Sequence, residues 1–202
     1  MKRQPGLLAA VLLLLAVSVA PIDSTAGTAA YEFTVTGASG PLAGVTSVGT
    51  FSFDPAIVPA GGGYVEIAGL FESLSFSWDG VNYDEDSANT GTLAFNADGT
   101  LFYALFGTNC GPSGFGCGVG DGASPHEWSF NIDIENGTVT GAFYYISPTD
   151  PSNIWVGTVA LMPIPSPTDK NQCKKGGWKE YAGPDGPFKN QGDCIQFVNT
   201  GK

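Results

Sequence analysis

The stretch that decides the fold is Glu127–Glu135, EWSFNIDIE, in which polar and apolar residues alternate without a break. Successive side chains of a strand point to opposite faces, so Trp128 and every second residue after it form an apolar face. The dipeptide Asn136-Gly137 follows, and it is typical of two-residue hairpin turns. The sequence therefore predicts a hairpin whose second strand is Thr138–Ile146.

The same period of two recurs outward from this hairpin. Phe71–Trp78 alternates apolar residues with serines, and Asp79-Gly80 predicts the turn that ends it. About nine short strands and no helical period in this part of the chain predict an all-β fold, an antiparallel β-sandwich or jelly roll. Trp78, Trp128 and Trp155 are then expected in its core. The other predicted strands are Tyr31–Thr36, Val45–Phe53, Tyr64–Leu70, Thr92–Asn96, Thr100–Phe106 and Ile154–Met162.

Charge divides the chain into two regions. Residues 27–169 contain 15 Asp and Glu but no Lys or Arg, and the chain of 202 residues has a net charge of −11. Six of its eight cationic residues lie from Lys170 onward, where they outnumber the acids. A surface as acidic as that of residues 27–169 repels phosphate backbones, which excludes nucleic acid as its partner.

The two ends of the chain have their own signatures. Lys2 and Arg3 precede the apolar run Leu7–Ala20, and the small residues Ser24 and Ala26 follow, as in a secretory signal peptide. We therefore expect residues 1–26 to be a signal peptide and the mature chain to have no membrane span. Beyond a β domain at 27–162, a Pro-rich linker is expected at 163–169 and a basic tail at 170–202.

Four cysteines in an exported chain indicate two disulfides, for which three connectivities are formally available. Cys110 and Cys117 flank a glycine-rich stretch, and Cys173 and Cys194 bracket most of the tail. Pairing of neighbours in the sequence is the connectivity we expect. A zinc site is disfavoured because no histidine lies near either pair.

Catalytic chemistry finds little support in the residues. His126 is the single histidine, and no Gly-x-Ser-x-Gly elbow is present, which excludes the common serine hydrolase arrangement. Asn131–Glu135 resembles the Glu-Ile-Asp-Ile-Glu strand of the laminarinase and lichenase family of jelly-roll glycosidases. Asp133 and Glu135 match that family's assisting and acid positions, but Asn131 stands where the resemblance requires the nucleophile. We therefore expect no enzyme, with a hydrolase using paired carboxylates as the alternative.

An acidic loop supplies a candidate metal site. Asp84, Asp86 and Asn89 place hard oxygen ligands close together, and Ca²⁺ prefers such ligands. The spacing is not that of an EF-hand loop, so a solvated acidic loop is the competing interpretation. The hypothesis is a structural Ca²⁺ ion in a domain that has no cations of its own.

The tail carries the most specific resemblance. Gln172–Trp178 (QCKKGGW), Phe188–Cys194 (FKNQGDC) and Phe197–Gly201 (FVNTG) resemble a C-terminal segment found on many uncharacterised secreted bacterial proteins. The resemblance implies a clip between Cys173 and Cys194 that joins short helical turns around a small aromatic core. The rest of the chain is similar, more loosely, to β domains of bacterial surface proteins that end in a Pro-Glu-Pro sorting signal.

These features predict a bacterial protein that is secreted or displayed at the cell surface and binds carbohydrate or cell-wall polymer without catalysis. In the tail, Lys174, Lys175 and Lys179 are expected to contact an anionic wall polymer while Trp178 packs on sugar. A tail that only stabilises the protein, or that docks on the acidic domain, is the alternative. A structural component of an extracellular matrix is a further class.

Overall fold

The protein is built around one antiparallel sheet of ten strands. The computed structural model describes residues 29–67, 69, 71–88, 90–108, 126–135, 138–183 and 186–201. From edge to edge the strand order is β3-β6-β7-β8-β9-β10-β1-β2-β4-β5. The predicted all-β antiparallel fold is confirmed, with ten strands in the sheet where about nine were expected. The strands are β1 (Ala29–Gly37), β2 (Thr46–Phe53), β3 (Gly63–Ile67), β4 (Ser73–Trp78), β5 (Val81–Asp84), β6 (Thr90–Phe95), β7 (Leu101–Gly107), β8 (Trp128–Glu135), β9 (Thr138–Ser147) and β10 (Asp150–Ile164).

The sheet curls so that one half packs on the other. The ring centroids of Phe33 on β1 and Phe130 on β8 are 5.0 Å apart, although these strands are not hydrogen-bonded neighbours. Phe51 on β2 meets Phe106 on β7 in the same way, at 5.4 Å. Edge-to-face aromatic pairs of this kind add to the stabilisation gained from burial alone. The interior is therefore a layer of aromatic rings between the two halves of one sheet.

The predicted core tryptophans lie in or against this layer. Trp78 and Trp128 are buried, and Trp155 is partly buried and packs against the core. Gly49 on β2 faces the same interior, where a Cβ atom would overlap the ring of Phe33 and the Cβ of Phe76. The glycine at this position lets the two aromatic side chains approach the strand.

The strand missing from the sequence prediction is β5. It follows β4 through Asp79-Gly80, whose φ angles of 51° and 77° match a two-residue hairpin turn with positive φ at both positions. The turn was predicted correctly. The returning strand Val81–Asp84 is only four residues long, and its inward side chains are few, so alternation gave no signal there.

The C-terminal region begins where the sheet ends. Strand β10 continues to Ile164, and Pro163 and Ile164 pair with β1, so the first two residues of the expected linker belong to the sheet. Beyond it lie a 3-10 segment (Lys174–Glu180), a small hairpin of β11 (Ala182–Gly183) and β12 (Gly186–Pro187), and α1 (Gln191–Thr200). The Ala182 N–H donates to the Pro165 carbonyl at 3.1 Å, which ties the hairpin to the linker.

Several expectations concern residues outside those described. They are the signal peptide at 1–26, the pair Cys110 and Cys117, the turn at Asn136-Gly137, and Asn89 of the calcium hypothesis. They remain predictions. Within the described ranges, no helix is long and apolar enough to cross a membrane.

Candidate functional site

The disulfide Cys173–Cys194 positions the tail. Its Cα atoms are 5.7 Å apart, and both cysteines are fully buried, which confirms the second predicted pair. The bond joins the start of the 3-10 segment to the first turn of α1. Beside it the rings of Phe188 and Phe197 lie 5.5 Å apart, and Phe197 is buried. The tail thus has a small core of its own, clipped by one covalent bond.

The glutamine and glycines of QCKKGGW have structural roles. The Gln172 side-chain oxygen accepts the N–H groups of Thr168 and Asp169, at 2.7 and 2.9 Å, and so closes the loop before the disulfide. The 3-10 segment is broken at Gly176, whose φ of 90° suits glycine. A Cβ on Gly177 would overlap the Gln172 carbonyl. This part of the motif therefore specifies the chain path around Cys173.

The second half of the motif specifies α1. The Asn190 side chain accepts the N–H groups of Gly192 and Asp193, at 2.7 and 3.1 Å, as a helix N-cap does. At the other end Gly201 adopts a left-handed conformation, and its N–H donates to the Phe197 carbonyl at 2.7 Å. Both ends of this ten-residue helix are thus capped by motif residues.

The 3-10 segment also carries three lysines and a tryptophan that reach the surface, followed by the exposed Glu180. Lys174, Lys175 and Lys179 are exposed and Trp178 is partly exposed; we call these four residues the tail patch. The Lys179 ammonium lies 5.5 Å from the centroid of the Trp178 ring, within the range of a cation–π contact. Lys174 is oriented by the Asn171 side chain, whose oxygen accepts from its ammonium at 2.8 Å. All four residues predicted for binding thus lie on one short segment, with Trp178 and Lys179 in contact.

The acidic loop is organised by its own hydrogen bonds. Asp84 ends β5, and its carboxylate accepts the Ser87 hydroxyl at 2.9 Å, while Ser87 accepts the Asp84 N–H at 3.2 Å. Asp84 and Asp86 are both exposed. Among the described residues, no three side chains of His, Cys, Asp or Glu are grouped so that they could hold a metal ion. Because Asn89 lies outside those residues, the calcium hypothesis remains a prediction.

The residues of the glycosidase resemblance share one face of β8. Asn131, Asp133 and Glu135 alternate with core residues, and both acids are exposed. Their strand neighbours decide what surrounds them: Asp133 stands opposite Tyr103 of β7 and Thr140 of β9. The two acids are thus placed on an open sheet surface.

Sequence reasoning missed an aromatic surface on that same side of the sheet. Tyr64 of β3 is 67% exposed, and its ring centroid lies 6.0 Å from that of Phe102, edge to face. Tyr103 lies two strands from Tyr64. In the sequence, Tyr64 and Tyr103 stand out only as aromatic residues at positions where the alternation predicts polar ones. Only the order of the strands shows that the two residues lie near each other.

Comparisons with family models, with curated proteins and with solved structures find no match for this chain.

Proposed function

We propose that this protein is a secreted or cell-surface binding protein without catalytic activity, whose tail patch holds an anionic cell-wall polymer. The observation that carries the proposal is the tail patch itself. Three exposed lysines and a partly exposed tryptophan lie within six residues, on a segment anchored by Cys173–Cys194. Because the clip fixes the segment before binding, less conformational entropy is lost when a ligand is bound.

The contrast in charge supports the same proposal. A polyanion is repelled by the body, which has no Lys or Arg between residues 4 and 169, and is attracted by the tail. Lysine ammonium groups provide point charges for phosphate or carboxylate groups of a polymer. The Trp178 ring provides a flat apolar surface for the sugar units between those charges. Charge would therefore direct the polymer to one end of the molecule.

A wall-binding assay with the whole mature chain tests this function. We expect isolated bacterial cell walls to retain the protein at about 50 mM salt and to release it at several hundred millimolar, because the Debye length falls from ~14 Å to ~5 Å over this range and surface charges are then screened. Lys174→Gln with Lys179→Gln should abolish most of the retention. Trp178→Ala should weaken it, while Trp178→Phe should largely preserve it.

A second pair of lysines provides the matched control. Lys170→Gln with Lys189→Gln removes the same charge from the tail but leaves the tail patch intact, so most retention should persist. Equal losses in both double variants would show that net charge, and not the tail patch, is responsible. Undiminished binding after loss of Lys174 and Lys179 would exclude the proposed function.

A further inference from the structure

The outer face of strands β3, β6, β7 and β8 carries a row of residues set by the strand register. Tyr64 pairs with Ala94, Ala94 with Tyr103, and Tyr103 with Asp133. Neighbouring strands are ~4.8 Å apart, so the backbones at the two tyrosines are separated by about 10 Å. Ala94, between them, is fully buried beneath the surface. The row therefore presents two phenol rings on either side of a buried alanine, with an exposed carboxylate at one end.

A bulge in β7 adds a third ring. Ala94 pairs with Tyr103 but Phe95 pairs with Leu101, so Phe102 has no partner in the register. Such an extra residue re-aims side chains, and here the Phe102 ring stands edge to face against Tyr64, at an interplanar angle of 82°. Tyr64 nonetheless remains two-thirds exposed. An exposed aromatic residue supported by a second ring is a stable contact surface for an apolar face of a ligand.

The next row along the same strands is polar. Glu66 pairs with Thr92, Thr92 with Leu105, and Leu105 with Asn131. The Thr92 hydroxyl and the Asn131 side-chain oxygen are buried and lack a hydrogen-bond partner, although buried polar atoms are normally paired. Thr92 is about nineteen-twentieths buried. Two unpaired polar atoms thus lie just beneath the surface beside the aromatic row.

We infer that this face binds an uncharged glycan, with sugar rings stacked on Tyr64 and Tyr103 and hydroxyl groups bound by Asp133 and Glu66. The inference rests on the proposed function only in that it extends carbohydrate binding from the tail to the body. Aromatic rings offer a flat apolar surface to the C–H face of a pyranose, and carboxylates accept hydrogen bonds from its hydroxyls. We call Tyr64, Phe102, Tyr103 and Asp133 the sheet site.

Charge selects an uncharged ligand at the sheet site. The exposed acids Asp133 and Glu66 stand in a body that has no lysine or arginine, so an anionic polymer would be repelled here. Burial raises the pKa of Tyr103, and the Asp133 and Tyr64 side chains raise it further. The Tyr103 phenol is therefore protonated at neutral pH and can donate a hydrogen bond. The sheet site and the tail patch consequently differ in the ligands they suit.

Affinity electrophoresis of the mature chain provides the test. Gels containing a mixed-linkage β-glucan, a galactomannan or a xylan serve as neutral probes, and polygalacturonate serves as the anionic probe. We expect at least one neutral polysaccharide to retard the protein, and Tyr64→Ala or Tyr103→Ala to weaken that interaction about tenfold, equivalent to ~1.4 kcal/mol. Tyr64→Phe should preserve it, because the ring remains.

Two controls separate this inference from the proposed function. Tyr144→Ala removes a tyrosine on the outer face of β9, outside the sheet site, and should not alter retardation. Lys174→Gln with Lys179→Gln should lose retention on cell walls while retardation by the neutral polysaccharide persists. If no neutral probe retards the wild-type chain, or if Tyr64→Ala matches Tyr144→Ala while near-ultraviolet circular dichroism shows both folded, the sheet site is wrong. Wall retention would then still report on the tail patch alone.

Discussion

The sheet body and the tail are stabilised by different means. In the body, aromatic rings from both halves of the curled sheet meet around Phe130, which is fully buried. In the tail, one disulfide and the contact of Phe188 with Phe197 hold segments too short to bury a comparable core. Small units need such covalent staples because they bury a smaller fraction of their surface. The tail therefore keeps its shape without a large core, and its short segments carry lysines that stay exposed.

The strongest way to test this contrast is to remove the central ring of the body. Phe130→Ala should lower the free energy of unfolding by about 3–5 kcal/mol, because it deletes a buried side chain and leaves a cavity. Urea unfolding followed by tryptophan fluorescence would measure the change. Met162→Ala is the control, since Met162 is largely exposed, and should cost less than ~0.5 kcal/mol. A loss for Phe130→Ala no larger than for Met162→Ala would contradict the aromatic core. The rings packed on Phe130 are those of Phe33, Phe76, Phe106, Trp128 and Phe143.

Removing the disulfide tests how the tail is stabilised. Cys173→Ser with Cys194→Ser opens a loop of 21 residues, and such crosslinks typically stabilise by ~2–4 kcal/mol. Hydrogen exchange should show faster exchange of the α1 amides, while amides of β8 and β9 stay protected. Equal loss of protection in sheet and helix would instead indicate that body and tail unfold as one unit.

Alkaline pH should destabilise the body through its buried tyrosines. Burial raises the pKa of Tyr31 well above its usual value. Burial, with a smaller contribution from the negative charge of Asp79, raises the pKa of Tyr83 to about 12. The folded state therefore keeps protons that the unfolded chain releases, so this stability is full below pH ~10 and is lost as pH rises above it. Urea midpoints at pH 8, 10 and 11 should fall in that order. Tyr31→Phe should make the fall shallower, and an unchanged slope would contradict this assignment.

The smallest effect is expected at an exposed turn of the body. The Asp98 carboxylate accepts the hydroxyl of Thr100 at 2.6 Å and its N–H at 3.0 Å, and these bonds lower the Asp98 pKa. Thr100→Val should raise that pKa, as followed by NMR of the carboxyl group. The stabilisation exists above the unfolded pKa near ~4 and disappears as pH falls through the folded pKa. Thr100→Ser, which keeps the hydroxyl, should leave the titration unchanged.

The alternation of apolar and polar residues predicted most of the sheet. Trp128–Glu135 and Thr138–Ser147 lie within a residue of the expected strands, because one wet and one buried face impose a period of two. Strand β5 was not predicted because four residues after a tight turn are too few to show a period of two. The curl could not be predicted, since it depends on contacts such as Phe33 with Phe130, nearly a hundred residues apart.

The tail patch and the sheet site also differ in how far the sequence alone predicts them. The tail patch was predictable because its four residues are close in sequence and the clip between Cys173 and Cys194 was expected. The sheet site was not, because Tyr64 and Tyr103 come together only through the pairing of β3 with β6 and β6 with β7. The bulge at Phe102 is likewise a product of register. The period of two predicts where strands lie, but it does not predict which distant strands are neighbours in the sheet.

The segregation of lysine has a practical consequence for handling the protein. Trypsin cleaves after lysine and arginine, and the chain offers no such bond from Gln4 through Asp169. The lysines at 170, 174, 175, 179 and 189 are all exposed. Cleavage after Lys170 should consequently release the ten-stranded sheet in one piece without reduction, because both cysteines of the Cys173–Cys194 disulfide lie beyond that bond. An amine-directed dye likewise finds no lysine from Gln4 through Asp169 and so leaves the side chains of the sheet unmodified.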